Sequence, residues 1–351
     1  MSGEAQPVDP DAGLRPPPVV HRGGADGWVD CPCGSRHWGM SGAAGVLVWR
    51  EARGGGIEVV LQHRAWWSHH GGSWGLPGGA LDLREDPVSG ALREAREEVG
   101  IGARDATVRA ARTLRHDAWA YTTVLAEARR GATPRVCDPE SLDVAWVDVR
   151  RVDAAIAAGD ISGPDERPGR RSADRLEATR QRREELTGRF VLLPALAQAW
   201  PELRRMLRRL VLVVDAANTV GSRPDGWWKD RRGATERLAG ELVGVAARGL
   251  AGSAVGLPGE RWFPHVRLVT EGAARGARVP SGGASSVSLA AALPPVEIRE
   301  AGAHGDDAIV DEAARQAADP VTAVVVVTAD RELRARVQRV GATTAGPRLV
   351  L

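Results

Sequence analysis

The sequence predicts an α/β protein of two domains, a mixed sheet between helices followed by a parallel sheet. Three observations carry that reading. The 351 residues exceed one ordinary domain and are enough for two cores. In the first half, stretches that alternate apolar and polar residues surround one strongly acidic helix. From Leu210 onward, short continuous apolar runs alternate with helical patterns, as in buried parallel strands joined by crossover helices.

In chain order, Met1 to about Gly27 is rich in Pro and Gly and reads as a loose arm, extending to residue 37 with a Cys-x-Cys segment. Strands follow at Ala43 to Trp49, Ile57 to Gln62, Thr107 to Leu114, Ala118 to Ala126 and Val144 to Val149. Between them Pro77, Gly78 and Gly79 punctuate the chain. Asp86 then stands as N-cap with Pro87 at the first helical position, and the helix should run to Val99 with Gly100 as its left-handed stop. Ala154 to Arg189 reads as an insertion or extended connector. It passes through Arg167-Pro168-Gly169-Arg170-Arg171 into an exposed, mixed-charge helix, Ser172 to Leu186, held by i, i+4 pairs. Phe190 to Leu210 returns to helical periodicity and sets the domain boundary near Arg209. The second domain, 210–351, should have strands Leu210 to Asp215, His265 to Thr270, Val296 to Arg299 and Thr322 to Thr328. Its helices should be Gly233 to Arg248, Asp306 to Ala317 and one ending at Val340, with an inserted loop at Val279 to Pro295.

Composition bounds the partners. A net charge of +2 gives no global field toward nucleic acid or membrane. Lys229 is the lone lysine among many arginines, and with abundant Ala and Gly this fits a high-G+C genome such as an actinomycete's. Three cysteines do not make a disulfide framework, and no leader pattern or run of about 18 apolar residues appears, so the cytoplasm is expected. Cys31, Cys33 and His37 could be most of a zinc site. The C-x-C spacing is short, however, and no fourth ligand stands out besides His21 or Cys137, so a mostly buried pair of free thiols is expected instead.

The chemistry concentrates on the first acidic helix. Glu94, Glu97 and Glu98 are related as i, i+3 and i+4 and share a face, with Glu85 in the preceding loop and Arg93 spaced to pair with Glu97. Carboxylates so close repel unless a cation lies among them, and Mg²⁺ binds through such oxygens while bridging phosphates. The alternative is a solvated acidic face. Gly79, five residues, Glu85, seven residues, then Arg93-Glu94-Ala95-Arg96-Glu97-Glu98-Val99-Gly100-Ile101 resembles the Nudix box, with small Ala95 at a site the family usually fills with an aliphatic residue. The resemblance spans roughly 38–206, with the insertion at about 154–189. It implies an α/β/α sandwich and Mg²⁺ or Mn²⁺ held by Glu94, Glu97, Glu98 and the Gly78 carbonyl. Glu94 or an acid outside the box would take a water proton, and Arg93 would orient Glu97. The expected reaction is hydrolysis of a nucleoside diphosphate linked to another group. Within the family the chain looks closest to MutT-like actinobacterial enzymes, which makes a nucleoside triphosphate, cut to the monophosphate and pyrophosphate, the first substrate to expect.

A second acidic set follows the later strands. Asp215, Glu271 and Asp330 come just past strand ends, where functional groups of parallel sheets gather, and Asp306 and Asp307 begin a helix. Capping and turn chemistry are the alternative. Val214-Asp215-Ala216-Ala217-Asn218, Gly305-Asp306-Asp307-Ala308-Ile309 and Val327-Thr328-Ala329-Asp330-Arg331 resemble the acidic motifs of NYN domains, PIN-like nucleases of the YacP-like branch, with Ala216 where glycine is common. The resemblance implies a parallel α/β/α domain with metal candidates Asp215, Asp306 or Asp307 and Asp330, and Asn218 as polar neighbour. A metal-dependent ribonuclease, or a nucleotide- or RNA-binding module with an inactive second domain, is therefore the alternative function. Arg223, Trp227, Trp228, Lys229, Arg231 and Arg232 suit single-stranded RNA or, equally, a covered core. His116, Asp117 and Trp119 stand at a strand start near the expected substrate, as ligand contacts or as loop and core residues.

Overall fold

The computed structural model describes residues 13–16, 25–163, 172–223, 226–280 and 291–351. Most of the expected arm, with His21, lies outside them, as do Arg167 to Arg171 and most of the loop at Val279 to Pro295. Packing divides the chain into two compact units that are not linear in sequence. The first comprises Met1–Gly102, Leu114–Thr123 and Arg130–Arg204; the second comprises Ala103–Thr113, Val124–Arg129 and Arg205–Leu351.

The first unit opens with an antiparallel hairpin, β1 (Trp28–Asp30) and β2 (Arg36–Trp38), which pairs Val29 with His37. β3 (Ala43–Glu51) is buried over its first seven residues, and β4 (Ile57–Arg64) lies antiparallel to it with Trp49 opposite Val59. Two short strands follow: β5 (Trp74–Gly75) pairs β4, and β6 (Gly78–Ala80) pairs β3 with Gly78 opposite Gly45. Gly78 and Gly45 meet because neither has a side chain. A Cβ at Gly78 would stand 2.5 Å from the Ala44 carbonyl oxygen, and one at Gly45 would stand 2.2 Å from the Tyr121 hydroxyl.

β6 leads into α1 (Pro87–Val99), which begins and ends where the sequence predicts. The Asp86 carboxylate accepts the Ser89 N–H at 3.0 Å, Pro87 opens the first turn, and Gly100 closes the helix at φ 71°. Gly90, Ala91, Leu92, Ala95 and Val99 form its buried stripe against β3 and β6. β7 (Ala106–Arg115) and β8 (Ala120–Ala128) come next, then β9 (Ser141–Asp148), antiparallel to β4 with Trp146 opposite Val60. α2 (Val149–Ala158) starts where the strand expected to Val149 should end. Asp148 caps it by accepting the Arg150 N–H at 2.8 Å, which takes Val149 into the helix. α3 (Ser172–Leu186) is the charged helix expected in the connector, and α4 (Pro194–Met206) follows. Arg180 pairs with Glu177 at i, i+3, while Arg182 reaches the Gly71 carbonyl and the Ser162 hydroxyl, so this helix is held by more than its own ion pairs.

The second unit is built on a five-stranded sheet whose pairings are all parallel. β10 (Arg209–Asp215) is its centre, followed along the chain by α5 (Ala216–Gly221), α6 (Arg231–Arg248), β11 (Leu250–Ala251), α7 (Gly252–Val255) and β12 (Arg261–Trp262). Next come β13 (His265–Thr270), β14 (Val296–Glu300), α8 (Gly305–Ala317), β15 (Thr322–Val327), α9 (Arg331–Arg339) and β16 (Thr343–Ala345). The spatial order is β14-β13-β10-β15-β16. Val211, Val213, Val324 and Val326 pack under Ile309, Ala313, Leu333 and Val337 of α8 and α9. Alternate β10 residues Leu212 and Val214 are buried as well, so the strand is covered on both faces, which is why it reads as one apolar run. The same unit pairs β12 with β7 through Arg261 opposite Ala111. There Glu127 receives Arg109 at 2.7 Å and Arg209 at 2.9 Å, and these guanidiniums hold its carboxyl below the usual range although burial opposes them. No helix among the described residues is long and apolar enough to cross a membrane.

Candidate active site

α1 carries its three carboxylates at graded depth. Glu98 is buried and its Oε2 accepts the Gly78 N–H at 2.8 Å. Glu94 lies against Gly79, where a Cβ would come within 2.7 Å of the carboxylate, so the glycine admits the acid. Glu97 is the most open of the three, with 35% of its side chain exposed. The helical spacing that puts them on one face is thus joined to β6 by a glycine pair that lets backbone approach.

Arg93 ties this face to the preceding loop. Its guanidinium bonds both oxygens of Glu85 at 2.9 Å, Glu94 Oε1 at 2.8 Å and the Ala80 carbonyl at 3.0 Å. Glu97, the partner expected from i, i+4 spacing, is 3.5 Å away. The forked, two-oxygen bond to Glu85 wins because guanidinium and carboxylate match in plane. Arg93 therefore orients Glu85 and Glu94 first.

Burial sets the electrostatics. It pushes the Glu98 carboxyl up to about 8 against the opposing charge of Arg64, and the Glu94 carboxyl up to about 7 against the bond from Arg93. The Tyr121 hydroxyl is raised by burial and then by Glu98, which puts it beside the same acids. Glu140 adds negative charge felt by both Glu94 and Glu98. An all-oxygen donor set, buried deeply enough to favour protons over bare charge, fits a hard divalent cation, which would restore the ionised state. Arg64, Tyr121 and Glu140 were not legible as site residues. They come from β4, β8 and the loop before β9, and no local spacing links them to α1.

The second unit gathers the other acids at one sheet edge. Asp215, Glu271, Asp306 and Asp330 line a cavity of about 170 Å³ with Asn218 and Gly305. Asp215 is buried and accepts the Asn218 N–H at 3.0 Å and the Thr328 hydroxyl at 2.9 Å. Burial, then Asp306 and Glu271, raise its carboxyl; burial and Asp330 raise that of Asp306. Asp330 also caps α9 through the Leu333 N–H at 2.8 Å, and Glu271 Oε2 accepts the Gly305 N–H at 2.7 Å. Asn218 Oδ1 accepts the Ala329 N–H at 2.7 Å, bracing the two motif loops. Asp307 does not line the cavity; its carboxylate bonds Arg336 on α9. Neighbours in a helix point about 100° apart, so one of the pair faces in and the other away.

The remaining candidates fall elsewhere. Of the basic and aromatic group, Arg223 pairs with Glu241 and Arg232 with Glu236, while Arg231 lies over Trp227 at 5.3 Å and Trp228 is 60% exposed. Trp119 stacks on His37 at 4.3 Å and donates its Nε1–H to the Trp38 carbonyl, and His116 faces His37 at 4.5 Å. The cysteines are not a buried pair: Cys31 is buried, but Cys33 stands in the open hairpin turn and is exposed, as is Cys137.

Comparison with known proteins falls on the first of these sites. Residues 41–163 match the NUDIX domain family. A nucleoside triphosphate pyrophosphatase/Nudix hydrolase fusion protein of Bifidobacterium longum is 48% identical over 143 residues, covering 39% of this chain and 30% of that protein. A protein of Mycobacterium tuberculosis that carries a provisional 8-oxo-dGTP diphosphatase name is 44% identical over 132 residues, 36% of this chain and 60% of that one. The chain thus spans less than two thirds of either relative's length. Among solved structures, the Nudix hydrolase RenU of M. smegmatis is 37% identical, covers 46% of this chain and 94% of its own, and superposes with a TM-score of 0.34.

Proposed function

For a chain that carries a Nudix domain over residues 41–163, we propose a divalent-metal-dependent hydrolase that cuts the pyrophosphate of a nucleoside triphosphate, releasing the monophosphate and pyrophosphate. The observation that carries this is the face of α1, where Glu94 and Glu98 lie buried against Gly78 and Gly79 beside the more open Glu97. Glu94, Glu97, Glu98 and the Gly78 carbonyl would hold Mg²⁺ or Mn²⁺, which supplies charge neutralisation on the diphosphate and lowers the pKa of water. Arg93 keeps Glu94 in place and stays charged, because its bond to Glu85 raises it further above neutrality. The proton of the attacking water passes to Glu94 or to an acid outside the helix. The name of the M. tuberculosis relative supports an oxidised nucleoside triphosphate as a first substrate. We take the functional modules as 38–206 for this activity and 210–351 for the second.

A second reading rests on the cavity of Asp215, Glu271, Asp306 and Asp330. Four carboxyls around one small space suit Mg²⁺ or Mn²⁺ and phosphodiester hydrolysis, a PIN-like ribonuclease acting on single-stranded RNA. The same cavity would serve an RNA-binding module without turnover. One assay separates these readings: purified protein with Mg²⁺ or Mn²⁺ against a nucleotide panel and a single-stranded RNA. Glu97→Gln and Glu98→Gln should each lower nucleotide hydrolysis about a hundredfold or more. Undiminished hydrolysis in both would sink the assignment of the α1 site.

A further inference from the structure

Away from both acidic sites, four soft donors converge. The β1–β2 hairpin turns through Cys31 to Ser35, closed by Cys31 N–H to the Ser35 carbonyl at 3.1 Å and Gly34 N–H to the Cys31 carbonyl at 3.0 Å. Gly34 sits at φ 85°, a conformation that suits glycine and presents Cys31 and Cys33 on one side of the turn. His37 on β2 brings its Nε2 to 3.3 Å from Cys33 Sγ. The fourth group comes from far along the chain: His116, in the turn before β8, faces the His37 ring. The ligand atoms of Cys31, Cys33, His37 and His116 all lie within 4.8 Å of one another.

We propose that Cys31, Cys33, His37 and His116 form a structural zinc site that fastens the N-terminal hairpin to the turn leading into β8. Two sulfurs and two imidazole nitrogens, with no carboxylate among them, are a zinc donor set. Tetrahedral zinc with such ligands has edges of roughly 3.3 to 3.8 Å, so the Cys33–His37 separation already fits and the others need only modest side-chain rotation. Cys33 is exposed, and its rotation disturbs no core. With four protein ligands the metal keeps no open position, which makes it structural.

The surroundings support the metal independently of the donors. Backbone N–H groups of Cys33 and Ala118 are directed at the Cys31 sulfur, the surrounding a ligating sulfur takes. Trp119 stacks flat on His37, and its Nε1–H to the Trp38 carbonyl fixes that ring in turn. The hairpin has little core of its own, with Trp28 and Trp38 each more than two fifths exposed, so a metal would supply what apolar burial does not. The site also has a bearing on the glutamates: Trp119 packs 6.0 Å from Tyr121, whose hydroxyl lies among them.

The test uses the full chain, grown with zinc and with any affinity tag removed. Elemental analysis should find one zinc per chain, and cobalt exchange should give thiolate-to-cobalt absorption. That absorption separates this site from the carboxylates. Cys33→Ser and His116→Ala should each reduce zinc content about tenfold or more, and His116→Cys, which restores a soft ligand, should retain it. Should an alanine variant unfold by circular dichroism, the His116→Cys protein decides: metal retained with thiolate absorption supports the site. Zinc absent from the wild-type chain and not taken up on titration, or full zinc content in folded Cys33→Ser and His116→Ala proteins, overturns it.

Discussion

Glu98 and Glu94 are held in a protonated state by burial, to about 8 and about 7, whereas ordinary glutamate sits at 4.5. The folded chain therefore keeps protons that the unfolded chain gives up as pH rises from 4.5. In metal-free protein the stability present below 4.5 is lost as pH climbs through about 8, and the melting temperature in chelator should fall by several degrees across that window. A divalent ion demands the ionised form, so its binding releases protons and tightens over the same range, and calorimetry in buffers of different ionisation enthalpy reads that release. Glu98→Gln removes the larger share of the slope. A slope unchanged in Glu98→Gln would place its origin elsewhere.

At the level of elements, α1 depends on its ends. Asp86→Ala removes the acceptor for the Ser89 N–H and should cost about 1 kcal/mol in urea unfolding, while hydrolysis at saturating metal stays near wild type because no proposed ligand moves. A loss of activity with unchanged stability would show that the cap positions the glutamates directly. This helix was legible in sequence because its signals are local: Asp86, Pro87 and Gly100 act on their own neighbours. Four strands of the second unit, β10, β13, β14 and β15, were legible too, as doubly covered β10 has no polar residue to interrupt its run before Asp215, whereas the two- and three-residue strands β11, β12 and β16 are too short to leave a pattern. What escaped was whatever depends on a distant partner. Val149 has the pattern of a strand, yet Asp148 caps α2 and takes it into the helix; the spacing of Arg93 and Glu97 gives their 3.5 Å pair but not the closer bond to Glu85, because the loop that returns Glu85 leaves no periodic trace. Asp306 and Asp307 were equivalent in sequence until Arg336 drew one of them aside. His116 stood alone in the chain and meets the cysteine turn only in three dimensions.

Across the whole molecule, each acidic site takes its residues from a single unit: Gly78, Arg93, Glu94, Glu97, Glu98, Tyr121 and Glu140 from the first, Asp215, Glu271, Asp306 and Asp330 from the second. Substitutions in groups with no shared partners act additively. Asp215→Asn should abolish any RNA cleavage and leave nucleotide hydrolysis within about twofold of wild type, as a paired assay on one preparation would show; a parallel loss of both activities would mean that the units are coupled. The bond from Thr328 to Asp215 joins residues 113 positions apart, and β10 can acquire its neighbour β15 only after all that chain exists. A ribosome therefore delivers the complete carboxylate helix well before it delivers the last wall of the other cavity. Ala110 and Ala111 of β7, which pair with Trp262 and Arg261 of β12, must wait through part of the interval for that partner. Chaperones that shield nascent strands would find their work in that delay.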